Sequence, residues 1–133
     1  MLNSYLKSLY SKVDRAVRDT NTLLDFLEPN IENLAFSPTE SEQGVEFNAY
    51  CELLSDIKKS AEAPPENDNK DVQFITTQLQ EMPELYANDF TFISAASLPR
   101  IEKLESIVSL AKTLQEIDVK LQAAAFSLNL NIR

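Results

Sequence analysis

The segment "SIVSLAKTLQEIDVKLQAAAFSL", residues 106–128, carries the pattern that decides the fold. Its aliphatic residues Ile107, Leu114, Leu121 and Leu128 recur every seven positions, and other apolar residues lie three or four positions from them. Spacings of three, four and seven bring side chains to one face of an α-helix. The segment therefore predicts an amphipathic helix that includes all four residues.

A second stripe of this kind lies near the beginning of the chain. Leu6, Val13, Thr20 and Leu27 are seven positions apart, and the opposite face carries interspersed acidic and basic residues that suit water. The apolar stripe is three residues wide, which is broader than the seam of a two-stranded coiled coil. It favours a helix that contacts two neighbours in a bundle.

Two prolines mark the end of this helix and the start of the next. Pro29 lacks an N–H group and disfavours helical geometry at Glu28, so the first helix should end there. Ser37 and Glu40 then match a capping box, and Pro38 occupies the first helical position. A second helix is expected from residue 38.

The middle of the chain predicts two shorter helices, at about 38–60 and 71–82. Between them, residues 62–71 combine prolines, acids and amides and predict a solvated loop. Residues 84–97 are apolar without a clear period, which indicates a packed connector. The apolar positions that define the two short helices are Phe47, Tyr50, Leu54, Ile57 and Ala61 in the first, and Val72, Ile75, Leu79 and Met82 in the second.

The fold class that follows is all-α, an elongated helical bundle of three to four helices with coiled-coil-like heptad stripes. The single glycine of the chain supports this prediction, because sheet-rich folds use glycine in hairpins and bulges. At 133 residues, one domain over 1–133 is expected. Its helices are expected at about 4–28, 38–60, 71–82 and 99–128.

The formal net charge of −9 disfavours nucleic acid and anionic membrane surfaces as partners. Thirteen acidic residues stand against three lysines between residues 29 and 98. This acidic middle is either a solubilising face or a docking surface for a basic partner. Cys51 is the only cysteine and no signal peptide or membrane-spanning stretch is apparent, so we expect a cytoplasmic protein without membrane insertion.

The residue types that catalysis and metal binding require are mostly missing. There is no histidine, and Cys51 has no histidine to activate it. Residues 66–71, "ENDNKD", superficially resemble a calcium loop but lack its glycine and terminal glutamate. The only glycine, Gly44, lies in a helical stretch and forms no phosphate-binding loop. We expect no enzyme, cofactor, metal or small-molecule substrate.

Several aromatic residues have two possible roles. They are either core side chains or anchors for a partner, and their helical spacing with other apolar residues favours the core. The residues in question are Phe47, Tyr50, Phe74, Phe90, Phe92 and Phe126.

Two stretches contain recognisable landmarks: "LLDFLEPNIENLAF", 23–36, has a helix that breaks at Leu-acid-Pro, and "ISAASLPRIEKLESIVSLAK", 93–112, has a small Ser-Ala run, a proline and then a charged amphipathic helix. Both landmarks resemble those of the light shoulder subunits of dynactin, the dynactin subunit 3 family. The matching residues are Leu27, Glu28, Pro29 and Ile31 in the first, and Ser94, Ala95, Pro99 and Leu104 in the second. The resemblance implies a cytoskeleton-associated subunit, coiled with dynamitin and the large arm subunit, that serves dynein-driven transport on microtubules.

The leading functional prediction is a non-enzymatic structural subunit of a multi-protein coiled-coil assembly. The alternative is a small acidic adaptor or chaperone that self-dimerises and holds a helical client. The heptad stripes at the two ends exceed what two short middle helices can cover, so the excess should face a protein partner through helix–helix packing. The predicted partner interface is Leu6, Val13, Leu27, Ile107, Leu114, Leu121 and Leu128.

Overall fold

The structure is a computed structural model, and its described part is all-α. It describes the backbone of residues 1–27, 47–82 and 97–132, and within them the side chains of 1–25, 48–82 and 105–132. These residues form four helices and no strand. The helices are α1 (Leu2–Leu27), α2 (Phe47–Lys59), α3 (Lys70–Glu81) and α4 (Ser97–Ser127).

Helix α1 buries the face that its sequence pattern predicts. Its buried positions alternate in steps of three and four residues, which keeps them in line along one side of the helix. A third row, with Tyr10, Val17 and Leu24, is half-buried and packs against the same core. The buried residues are Leu6, Leu9, Val13, Ala16, Thr20 and Leu23.

Helices α2 and α3 bury the apolar positions expected of them, wherever their side chains are described. Those positions are Tyr50, Leu54, Ile57 and Ala61, and then Val72, Ile75, Leu79 and Met82. The loop between the helices has the predicted length but lies slightly earlier in the chain, because α2 ends at Lys59 and α3 begins at Lys70. Asn69 caps it, since the Asn69 side-chain oxygen accepts from the N–H groups of Asp71 (2.9 Å) and Val72 (3.1 Å).

Helix α4 is the longest element, at 31 residues. It packs against α1 and α3, while α1 also packs against α2, and α2 makes a smaller contact with α3. Each helix therefore has two helical neighbours, as the width of the apolar stripe on α1 predicts. The side chains that α4 buries are Ile107, Leu110, Ala111, Leu114, Ile117, Leu121, Ala124 and Ala125.

The chain turns sharply after α4, at Asn129. The Leu130 N–H donates to the Ala125 carbonyl (2.8 Å) and the Asn129 N–H to the Phe126 carbonyl (3.2 Å). Asn129 has a φ of 56°, the left-handed conformation. These three features define a Schellman motif, which satisfies the last carbonyl groups of a helix. The turn brings Ile132 back into the core.

We expect the stability of the protein to depend on which residue occupies position 129. Asn129→Val should lower the free energy of unfolding by about 1–2 kcal/mol, because a branched side chain is poorly tolerated in the left-handed conformation. Asn129→Gly should be at least as stable as the wild type, because glycine adopts it without steric cost. Urea denaturation followed by circular dichroism measures both. A valine variant as stable as the glycine variant would contradict this account of the turn.

Three predictions fall wholly or partly on residues that the structure does not describe. They are the capping box at Ser37 and Glu40, the first part of the second helix from residue 38, and the packed connector at 84–97. The described part of that second helix begins at Phe47, and α1 is described as far as Leu27, two residues before the proline that is predicted to end it.

Candidate interaction surfaces

The residues predicted to face a partner mostly lie inside the bundle. Five of the seven, namely Leu6, Val13, Ile107, Leu114 and Leu121, are fully buried. In this conformation they contact the chain's own core and offer no surface to another protein. Their role as a partner interface stays a prediction, and it would require the bundle to open.

The other two predicted residues differ from these five. Leu128 is half-buried and packs against the core from the turn that follows α4. The side chain of Leu27 lies outside the described part of the structure. Neither residue adds exposed apolar surface to the described helices.

A hydrogen-bonded polar pair lies within the apolar core. Thr20 is completely buried, and its Oγ1 lies 2.5 Å from the Tyr50 hydroxyl oxygen and 2.6 Å from the Ala16 carbonyl oxygen. Because Thr20 donates to Ala16, the Tyr50 hydroxyl donates to Thr20. The pair satisfies polar groups that would otherwise be costly to bury, and it fixes α1 against α2.

The pKa of Tyr50 is raised above the ordinary value of a tyrosine. The main cause is burial, which disfavours the charged phenolate. The hydrogen bond with Thr20 acts in the opposite direction, whereas the charges of Cys51 and Asp19 add to the rise. Tyr50 is therefore a neutral core residue that does not serve as an acid or base at ordinary pH.

The end of α2 is held by side chains from two other helices. The Tyr5 hydroxyl on α1 donates to the Ser60 carbonyl (3.0 Å), and the Gln80 side chain on α3 donates to the Ala61 carbonyl (3.3 Å). Carbonyl groups at a helix C-terminus have no partner within the helix, so these bonds satisfy them. Tyr5 and Tyr50 contact opposite ends of the α1–α2 pair, which shows that the two helices run antiparallel.

A further polar contact between helices joins α3 to α4. The Lys120 ammonium lies 3.7 Å from an Asp71 carboxylate oxygen and 5.3 Å from the centre of the Phe74 ring. Asp71 lies in the first turn of α3, where a negative charge is favourable for the helix dipole. These contacts explain why Phe74 is half-buried.

The side of α4 that faces away from the core carries an exposed stripe with two large apolar side chains, which we call the outer face of α4. It consists of Val119, Gln122, Ala123 and Phe126, and these four residues are all exposed. Phe126 is 90% exposed and Val119 62%, seven positions apart. A pocket of about 250 Å³ adjoins Phe126, between the last turn of α4 and Leu130. The prediction that Phe126 belongs to the core is wrong.

The aromatic residues thus divide between the two roles. Tyr50 is a core residue, as its spacing predicts, and Phe74 is half-buried beneath Lys120. The side chains of Phe47, Phe90 and Phe92 lie outside the described part of the chain. Phe126 alone among the described aromatic side chains is almost fully exposed.

A groove between α1 and the end of α2 forms the second uncovered surface, which we call the α1/α2 groove. Its volume is about 410 Å³. Its polar edge is formed by Ser4, Ser8 and Lys12 of α1 and by Lys59 of α2, while Leu9 and Ala63 supply apolar lining. The groove follows the direction of α1 for about two turns.

The described residues contain no group of three or more histidine, cysteine, aspartate or glutamate side chains that could hold a metal ion. Cys51 is a half-buried thiol on α2, and the chain contains no histidine that could activate it. Among the helices described, none is both long and apolar enough to cross a bilayer.

Comparison with known proteins identifies no relative of this chain. No family model, no curated protein and no solved structure matches the chain.

Proposed function

We propose that the protein is a non-enzymatic subunit of a larger protein assembly and that it joins this assembly by helix–helix packing along the outer face of α4. The observation that carries the proposal is the exposure of Phe126 and Val119, 90% and 62%, on a bundle that buries the other described large apolar side chains except Met1 wholly or in part. Covering a large apolar side chain contributes about 1.5–3 kcal/mol. A partner helix that covers both side chains would therefore gain binding free energy at this face.

The occupant that fits this face best is an amphipathic helix. The exposed residues follow the three-, four- and seven-residue spacing that helices present to a partner helix. Ala123, between the two large residues, allows a second helix to approach closely. The pocket beside Phe126 can receive one apolar side chain of that helix, as happens where anchor residues pair across an interface.

A second copy of this chain is a poorer occupant. The outer face of α4 is about 10 Å long from Val119 to Phe126, at about 1.5 Å rise per residue. A stable interface usually buries about 800 Å² on each partner, which is more than this stripe supplies. Each copy also carries a net charge of −9, so two copies repel each other. The outer face of α4 is better suited to be one contact among several in an assembly.

The resemblance to dynactin's light shoulder subunits gives the proposal a finer form. In that form the partners are dynamitin and the large arm subunit, whose coiled coils would supply the helix for the outer face of α4, and the assembly serves dynein-driven transport. The support for it is the match to two family landmarks, the first at Leu27, Glu28, Pro29 and Ile31 and the second at Ser94, Ala95, Pro99 and Leu104. Co-expression with both partners tests it by size-exclusion chromatography.

A photo-crosslinking experiment tests the coarser proposal. Benzoylphenylalanine introduced in place of Phe126 keeps an aromatic ring on the outer face of α4 and links to whatever covers it. We expect links to one helical segment of one other protein. The same amino acid in place of Thr77, which is exposed on α3, is the control and should not link to that segment.

A second pair of variants measures the energy of the contact. Val119→Gln combined with Phe126→Gln should abolish recovery of the linked partner while the melting temperature stays unchanged, because both side chains are exposed. Thr22→Gln combined with Thr77→Gln is the matched control, at exposed positions of α1 and α3. Links from position 126 to a second copy of this chain, or equal recovery with both double variants, would contradict the proposal.

A further inference from the structure

The α1/α2 groove gathers positive charge and hydroxyl groups in a chain that is strongly acidic. Ser4, Ser8 and Lys12 are four positions apart, so they form one continuous row along α1. Lys59, in the last turn of α2, closes the groove from the other side. No acidic residue lines the groove in the part of the chain that the structure describes.

The polar groups of this row are not engaged within the described residues. The ion pairs found there join Arg15 to Asp19, Arg18 to Asp14 and Lys120 to Asp71, so neither Lys12 nor Lys59 takes part. The Ser4 and Ser8 hydroxyl groups form no hydrogen bond among these residues either. In contrast, Tyr5 already donates to the Ser60 carbonyl. The groove therefore offers two ammonium groups and two hydroxyl groups as donors.

We propose that the α1/α2 groove binds an acidic peptide segment of a partner protein. Carboxylates accept charge-assisted hydrogen bonds from ammonium groups, which are stronger than bonds between neutral groups. The lining from Leu9 and Ala63 suits the methylene groups of glutamate side chains. Because the chain as a whole has a net charge of −9, it repels an acidic partner at a distance, so binding depends on close contacts with Lys12 and Lys59 in this groove.

The shape of the groove favours a peptide over a single small anion. From Ser4 to Lys12 the row is about 12 Å long, at about 1.5 Å rise per residue. A phosphate ion contacts only part of such a row, whereas two or more acidic side chains of one segment occupy its length. The groove shares no residue with the outer face of α4, so this inference does not depend on the function proposed above.

Titration with a hexaglutamate peptide, followed by NMR of the full chain at low salt, tests this inference. We expect saturable shifts at Ser4, Ser8 and Lys59. Lys12→Gln combined with Lys59→Gln should weaken binding by about tenfold or more, since it removes both ammonium donors. Lys7→Gln combined with Lys112→Gln changes the net charge equally at exposed sites outside the groove, and should leave the affinity within about twofold. Circular dichroism checks that all variants remain folded.

Three results would overturn the inference. They are an absence of saturable binding, an equal loss in both double variants, and competition by inorganic phosphate at the same concentration as the peptide, which would indicate an adventitious ion only. The double variant Val119→Gln with Phe126→Gln, which changes the outer face of α4, tests whether the two surfaces act independently. It should bind hexaglutamate as the wild type does, so failure of one surface is distinguishable from failure of the other.

Discussion

Replacing Leu114 and Leu121 together with alanine is expected to unfold the bundle. Both side chains are completely buried on α4, the helix that packs against α1 and α3. Each substitution removes several methyl and methylene groups and leaves a cavity, at a cost of about 2–5 kcal/mol. The combined cost approaches or exceeds the total stability of an ordinary domain, about 5–15 kcal/mol. Loss of helical circular dichroism at room temperature would be the direct sign.

The matched control for this experiment lies on the same helix. Lys112 and Glu116 are exposed, so Lys112→Ala combined with Glu116→Ala should change the free energy of unfolding by less than about 1 kcal/mol. The comparison also separates stability from partner binding, because the leucine double variant should unfold even in the absence of any partner. A leucine double variant with native circular dichroism and a cooperative urea transition would contradict the described core.

The protein should lose stability as the pH rises above about 10, the ordinary pKa of tyrosine. Burial raises the pKa of Tyr50 in the folded state, so the folded protein holds that proton to higher pH than the unfolded chain does. The stabilisation is complete below the unfolded pKa and is lost as the pH rises from it toward the folded pKa. In that range the slope for one group is about 1.4 kcal/mol per pH unit. Burial shifts the pKa of Tyr5 in the same direction.

Urea denaturation at a series of alkaline pH values, with a tyrosine variant, isolates the contribution of Tyr50. Tyr50→Phe should make the alkaline loss of stability shallower, because the phenol that ionises in the unfolded chain is gone. Tyr10→Phe removes a half-buried tyrosine hydroxyl on α1 and is the control. If the alkaline limb were as steep in Tyr50→Phe as in the wild type, the burial of Tyr50 would not be its cause.

The same pair of helices provides an internal check on the hydrogen bond. Thr20→Val and Tyr50→Phe each remove one member of the hydrogen-bonded pair. Each should lower the free energy of unfolding by about 1–3 kcal/mol, because a buried polar group loses its partner. The double variant replaces both with apolar groups and should cost less than the two single variants added together.

The periodicity of the sequence was sufficient to identify the helices and most of their buried faces. The spacing of seven positions occurs between Leu6 and Val13 on α1 and between Ile107 and Leu114 on α4. An α-helix places such side chains on one face, whereas a strand would place them on opposite faces. Proline at position 29 predicts the end of α1 for an equally local reason, the missing N–H group, and α1 is described as far as Leu27. Such features depend on a few consecutive residues, so they can be inferred without knowledge of the rest of the chain.

Periodicity did not determine which apolar residues remain exposed. Three alanines precede Phe126, and a run of equal residues does not indicate which of them faces the core. In the structure Ala124 and Ala125 are buried, so Phe126, about 100° further around the helix at 3.6 residues per turn, points to solvent. The spacing within a helix sets only the angles between its own side chains. Which angle meets a neighbour is set by the packing of α1 and α3 against α4.

Two further features depended on contacts between residues that are far apart in the chain. Thr20 is a polar residue in an apolar stripe, and it is tolerated there because Tyr50, thirty positions later, shares its hydrogen bond. The α1/α2 groove exists because the antiparallel pairing brings Lys59 beside the row that contains Lys12. The sequence alone therefore determined the helices and their apolar faces through local geometry. Only the tertiary structure decided the polar pair in the core and the two surfaces left for partners, because each is made by residues from separate helices or by the absence of a neighbour.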